Sequence, residues 1–159
     1  MKRFFAICMA LCLVVAAMAG CGQGSANYNV KDIASSLEST AKIENPIDFT
    51  EDDLTYEFNI DMAKVDEFAG QNTRTNGASG TVLVVKAKAG GVEDVKAALE
   101  AYRDGRIAVY GTYKDDFPDA YAQVSEGRVV TKGDYAVLAI AAAGVSYDDL
   151  DKAVDEAFK

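Results

Sequence analysis

Residues 135–143 read YAVLAIAAA, and this stretch constrains the fold more than any other. Its alternating positions put Val137, Ala139 and Ala141 on one face of a strand and Leu138, Ile140 and Ala142 on the other. A strand covered on one side only should alternate apolar with polar residues. This one needs a partner on each side, or it leaves an apolar surface. Residues 81–89 (TVLVVKAKA) are less extreme. There Val82 and Val84 share a face with Lys86 and Lys88, while Leu83, Val85 and Ala87 share the other. Two readings stay open. The N-terminal helix covers the second sheet face, or that apolar face is a groove for a protein partner or small ligand.

The rest of the chain supplies the other layers. Val30, Ile33, Ala34, Leu37 and Ala41 recur at helical spacing, and Asn45-Pro46 ends that run. A second helical turn is expected from residue 50 to about 59, with Leu54 and Phe58 on one side. Residues 65–73 read as a weak polar strand, followed by the Asn76-Gly77 turn signal. After Gly90-Gly91, the positions Val92, Val95, Leu99, Tyr102, Arg106 and Tyr110 mark the longest helix, weakened by Gly105 and Gly111. Phe117-Pro118 reads as a breaker and residues 121–124 as extended. Residues 128–132 and 135–142 read as strands joined at Lys132-Gly133-Asp134. A last helix starts at Ser146, with Tyr147, Leu150, Val154 and Phe158 on one face. The order α-α-β-β-α-β-β-α predicts an α+β fold. Its core is an antiparallel sheet of about four strands with helices packed mainly on one face.

The first residues address location. Met1-Lys2-Arg3 is a short positive start, residues 4–19 are uncharged and apolar, and Met18-Ala19-Gly20-Cys21 is a small-residue exit. That is the plan of a secretory signal, and the stretch is short for a membrane-spanning helix. The exit resembles the lipobox of bacterial lipoproteins, where the cysteine thiol is acylated and the chain is cut just before it. Met18 stands where Leu is usual. The reading is a signal peptide over residues 1–20, cleavage between Gly20 and Cys21, lipid on Cys21, a flexible tether over residues 21–28 and one domain over residues 29–159. The expected location is the extracytoplasmic face of the cell membrane, held there through lipid on Cys21. Cys8 and Cys12 fall in the discarded segment, so the mature chain keeps one cysteine. About seven tether residues reach roughly 20 Å, which keeps the domain close to the bilayer.

Charge and missing residue types narrow the chemistry. Cleavage removes Lys2 and Arg3, leaving 14 basic against 25 acidic residues, a net charge of −11. An acidic body repels nucleic acid and anionic headgroups, so the lipid must supply membrane affinity and no nucleic-acid partner is expected. The sequence has no histidine. That removes Ser-His-Asp and Cys-His catalysis and the usual zinc ligands. There is no S-x-x-K sequence for a Ser-Lys pair, and Gly20-x-Gly22-x-Gly24 has no preceding strand to make it a nucleotide loop. No catalytic residue, metal ligand or cofactor is assigned. Three acidic clusters invite calcium: Glu51-Asp52-Asp53, Asp115-Asp116, and Asp148-Asp149 with Asp151. Helix capping accounts for two of them more simply. Asn29, Thr50, Gly90 and Ser146 each precede an acid by three places, as at helix starts. None of the clusters has the spaced acids and glycine of an EF-hand loop.

The long helix ends in Tyr113-x-x-x-Phe117-Pro118. Val129-Val130-x-Lys132-Gly133-x-Tyr135-x-Val137-Leu138 follows, and the last helix ends in Phe158. With the lipobox and tether, this order resembles a family of small Gram-positive lipoproteins known only as a domain of unknown function. Phe117 stands where the family often has Tyr. The resemblance implies surface lipoprotein status and a similar fold, and it brings no activity or catalytic residue. The expected function is therefore a membrane-anchored, non-enzymatic binding or interaction module. The alternative is a carboxylate-only enzyme such as a small hydrolase, which needs two acids facing one cleft, one with a raised pKa and both away from helix caps.

Overall fold

The two-sided strand lies inside the sheet rather than at its edge. The computed structural model describes residues 27–159. In chain order the elements are α1 (Val30–Ala41), β1 (Pro46–Asp48), α2 (Glu51–Tyr56), a turn of 3-10 helix (Met62–Lys64), β2 (Val65–Thr73) and β3 (Thr81–Ala87). They continue with α3 (Val92–Thr112), α4 (Pro118–Glu126), β4 (Arg128–Lys132), β5 (Tyr135–Ile140) and α5 (Tyr147–Ala157). The strands form one five-stranded sheet in the order β1-β2-β3-β5-β4, antiparallel throughout. The α+β class and the antiparallel sheet are as the sequence implies.

Three details differ from the sequence reading, each for a physical reason. First, helices cover both sheet faces. α1 and α5 pack on Val82, Val84, Val137, Ala139 and Ala141. α2, α3 and α4 pack on Leu83, Val85, Ala136, Leu138 and Ile140. Both alternating faces of β3 and β5 are apolar, so each requires its own layer. Burying a single leucine such as Leu138 contributes about 2 kcal/mol relative to leaving it in water. The apolar sheet face considered as a partner surface is closed by α1 and α5. Second, residues 118–126 are helical, although 121–124 read as extended. Pro118 sits at the start of α4, where its missing N–H costs nothing, and Ala120 and Val124 bury one turn apart. α3 has already ended at Thr112, so the Phe117-Pro118 step opens a helix rather than ending one. Third, β1 adds a fifth strand at the edge, pairing Ile47 with Asn72. Its proline is the first residue of an edge strand, the one place a strand tolerates it well.

The capping pattern holds at three of four expected starts. Asn29 accepts from the N–H groups of Lys31 and Asp32, Thr50 and Asp53 form a reciprocal capping box, and Ser146 accepts from Asp148 N–H. At α3 the cap is Gly91 rather than Gly90, with no side-chain bond.

The sheet gives the domain two poles. β3 runs from Thr81 at one pole to Ala87 at the other, a rise of roughly 20 Å. Tyr28 enters at the Ala87 pole and is clamped there. Its N–H donates to Tyr135 Oη (2.9 Å), and the Tyr135 hydroxyl donates to the Tyr28 carbonyl (2.9 Å). The Tyr28 hydroxyl donates to the Phe158 carbonyl (2.8 Å), and its ring packs edge-on against Tyr135 and Phe158. The loop between β2 and β3 and the C-terminal end of α3 lie at the opposite pole.

Candidate functional site

Gly20 and Cys21, with the whole of residues 1–26, lie outside the described residues. Among the described residues no helix is long and apolar enough to cross a membrane. The acidic clusters take ordinary places. Glu51, Asp52 and Asp53 form the first turn of α2, and Asp148 and Asp149 that of α5. Asp151 grips Arg128 with both oxygens, at 3.0 Å and 3.2 Å. Asp115 and Asp116 lie exposed on the turn after α3. Among the described residues no three acids or cysteines converge as a metal-ligand set.

Two clefts of similar size carry more chemistry. The first, of about 360 Å³, opens at the pole opposite Tyr28 and is lined by Asn76, Gly77, Arg106, Val109, Tyr110, Tyr113 and Phe117. Arg106, Val109, Tyr110 and Tyr113 follow i, i+3, i+4, i+7 spacing, so α3 presents them as one stripe. Val109 and Tyr113 are 54% and 52% exposed, two of the few large apolar side chains left in water among the described residues. Opposite them the β2–β3 loop supplies Gly77, whose φ of +75° suits glycine. A Cβ there would sit 2.2 Å from the Phe117 ring, so the turn lies directly on that ring.

Arg106 is the one cation in this apolar lining. Its guanidinium lies 5.0 Å from the Tyr110 ring centre, and its Nη2 donates to Tyr110 Oη (3.2 Å). Tyr110 in turn donates to the Ala78 carbonyl (2.7 Å), tying α3 to the β2–β3 loop. Arg106 Nε is buried without an acceptor, and among the described residues no carboxylate pairs with the side chain. Ser79, next along the loop, is buried with its hydroxyl unpartnered. In an acidic chain, an arginine without an acid is an unused positive charge.

The second cleft, of about 370 Å³, lies on the flank between α1 and the β1–β2 edge. Its lining includes Lys31, Glu38, Asp48, Phe49, Phe68 and Gln71. Asp48 Oδ1 accepts from Gln71 Nε2 (2.7 Å). Burial, and next the charge of Asp48, raise the pKa of Glu38 above the ordinary carboxylate value. Gly70 in its wall is fixed by sterics: an added Cβ would fall 2.1 Å from the Val82 carbonyl oxygen. Neither acid caps a helix. The cleft brings together Glu38 and Asp48, which nothing in the sequence joins. For Arg106 a signal was present: a charged residue on the apolar stripe of α3.

Residues 39–141 match the family described as Domain of unknown function (DUF4358). The chain belongs to the DUF4358 family. No curated protein and no solved structure matches it. The DUF4358 match runs from the last three residues of α1 through β5. It includes every residue lining the polar-end cleft, whereas Lys31 and Glu38 of the flank cleft precede it.

Proposed function

We propose that this DUF4358 protein is a lipid-anchored, extracytoplasmic binding module. In this reading Cys21 holds it at the membrane, and the Arg106–Tyr113 cleft is its binding surface. The observation that carries the reading is the separation of the two poles. Tyr28, a few residues after Cys21, is clamped at one end of the sheet, and the exposed aromatic cleft opens at the other. A short anchor at the first pole turns the cleft away from the bilayer, toward soluble or wall-side molecules. The missing histidine and the absence of a nucleophile motif in the sequence favour binding over catalysis.

The test has two parts. Cys21→Ala should move the protein from membranes to the soluble fraction with an unchanged circular-dichroism spectrum; a variant that stays bound contradicts the anchor. A photo-crosslinking residue at Tyr113 should capture a molecule in cells that the same residue at Tyr56 does not. Tyr56 is the control because it is exposed but lies outside both clefts. Equal capture at both positions contradicts the cleft.

Glu38 and Asp48 favour a second reading, a carboxylate-only hydrolase. Glu38 holds its proton to higher pH and suits the acid role, while Asp48, held by Gln71, is the second carboxylate of the pair. This reading requires a hydrolytic activity in the wild type that Glu38→Gln abolishes.

A further inference from the structure

We propose that the cleft at the pole opposite Tyr28 binds a small organic carboxylate with an apolar body, the acid group held by Arg106. The inference rests on the reading of that cleft as the binding surface and adds the class of ligand. Three features point to it. The walls are Val109, Tyr113 and Phe117, which suit an aromatic ring or short alkyl chain, and about 360 Å³ is room for one small molecule. The single charge is a guanidinium, whose planar fork matches a carboxylate. That fork is held by Tyr110 through ring contact and a hydrogen bond, yet among the described residues it meets no acid. A cation prepositioned among apolar side chains in a net-acidic protein selects a ligand that is negative at one end and apolar at the other. A neutral ligand would leave the guanidinium desolvated and unpaired. A cation would meet it as a like charge. The acids Asp115 and Asp116 are on the neighbouring turn but are not part of the lining.

The experiment uses the full lipidated chain in nanodiscs and three matched probes: 4-phenylbutyrate, 4-phenylbutanol and 4-phenylbutylamine. Binding is followed by calorimetry and by ligand-observed magnetic resonance. The acid should bind roughly ten-fold more tightly than the alcohol, and the amine more weakly than either. Arg106→Gln should bring the acid down to the alcohol's affinity and leave the alcohol unchanged. A thermal melt checks that this variant folds. If it does not, Arg106→Lys, which keeps the charge without the fork, should retain only part of the preference. Acid and alcohol binding equally to the wild type overturns the proposal, as does an acid preference that survives Arg106→Gln, or no binding of any probe at millimolar concentration. Tyr113→Ala separates the two levels. If it abolishes binding that shows no charge preference, the cleft stands as the binding surface and the ligand class falls. If binding survives both Tyr113→Ala and Arg106→Gln, the ligand sits elsewhere and the cleft reading falls too.

Discussion

The two clefts have nearly the same volume and opposite chemistry. The polar-end cleft, opposite Tyr28, surrounds one arginine with apolar side chains, of which Val109 and Tyr113 are exposed. The flank cleft sets Glu38 and Asp48 against each other, with the Phe49 and Phe68 rings beside them. Volume therefore does not choose between them. Exposed apolar area, which water disfavours unless something covers it, points to the first. Two carboxylates in one cleft, one of them partly desolvated, point to acid–base chemistry in the second. Each cleft also depends on a glycine that a side chain cannot replace. At Gly70 the obstacle is strand backbone, and at Gly77 it is an aromatic ring plus a positive φ. The clefts can therefore be perturbed one at a time.

The largest effect should come from Gly70→Ala. Its Cβ would meet the Val82 carbonyl between two central strands, which cannot step aside, so unfolding stability should fall by about 3 kcal/mol. A denaturant midpoint checks this; a loss below about 1 kcal/mol would show that the β2–β3 pairing adjusts freely. Gly77→Ala should cost about 2 kcal/mol through its left-handed φ and its clash with Phe117. It should disturb the polar-end cleft while leaving the resonances of Phe68 and Phe49 in the flank cleft unmoved.

Smaller effects sharpen the contrast. Because folding raises the Glu38 pKa, the folded state binds its proton more tightly than the unfolded one. The contribution is then most favourable below the ordinary carboxylate pKa and is lost as pH rises through the folded value. Glu38→Gln should flatten that decline. Near neutral pH it should raise stability by about 0.5 kcal/mol or less, since the side chain is partly in water. Wild-type and variant stabilities that run parallel between pH 4 and pH 7 would contradict this. Smallest of all, Tyr113→Ala should change stability by less than about 0.5 kcal/mol, because half of the ring is already in water. Its effect should appear in binding instead, and Tyr56→Ala should alter neither.

Much of this architecture was legible because it is periodic. The helical spacing of Val30 to Ala41 and of Tyr147 to Val154, and the two-faced alternation of residues 135–142, give α1, α5 and β5 directly. The same alternation left open whether a helix or a partner covers the second sheet face. It did not identify α5 as the helix that joins α1 there, since that contact is long-range. β1 escaped because three residues carrying a proline and an aspartate show no strand pattern. α4 escaped because Pro118 stops one helix as readily as it starts another. The clefts were the least legible. Arg106 lies in a recognisable helix, but the Gly77 turn that closes its cleft is distant in sequence, joined through Tyr110 and Ala78. Glu38 and Asp48 meet only because β1 folds back along β2 beside α1.

The central claim is that the proposed Cys21 anchor leads into the Tyr28 pole, opposite the cleft. The most direct test is fluorescence quenching by a lipid-headgroup quencher in vesicles carrying the lipidated full chain. One probe is attached at Lys159, beside the Tyr28 clamp, and another at Tyr113 in the cleft. The account predicts strong quenching at 159, little at 113, and none at either position once Cys21→Ala frees the protein. Equal quenching at the two positions, or stronger quenching at 113, would contradict it.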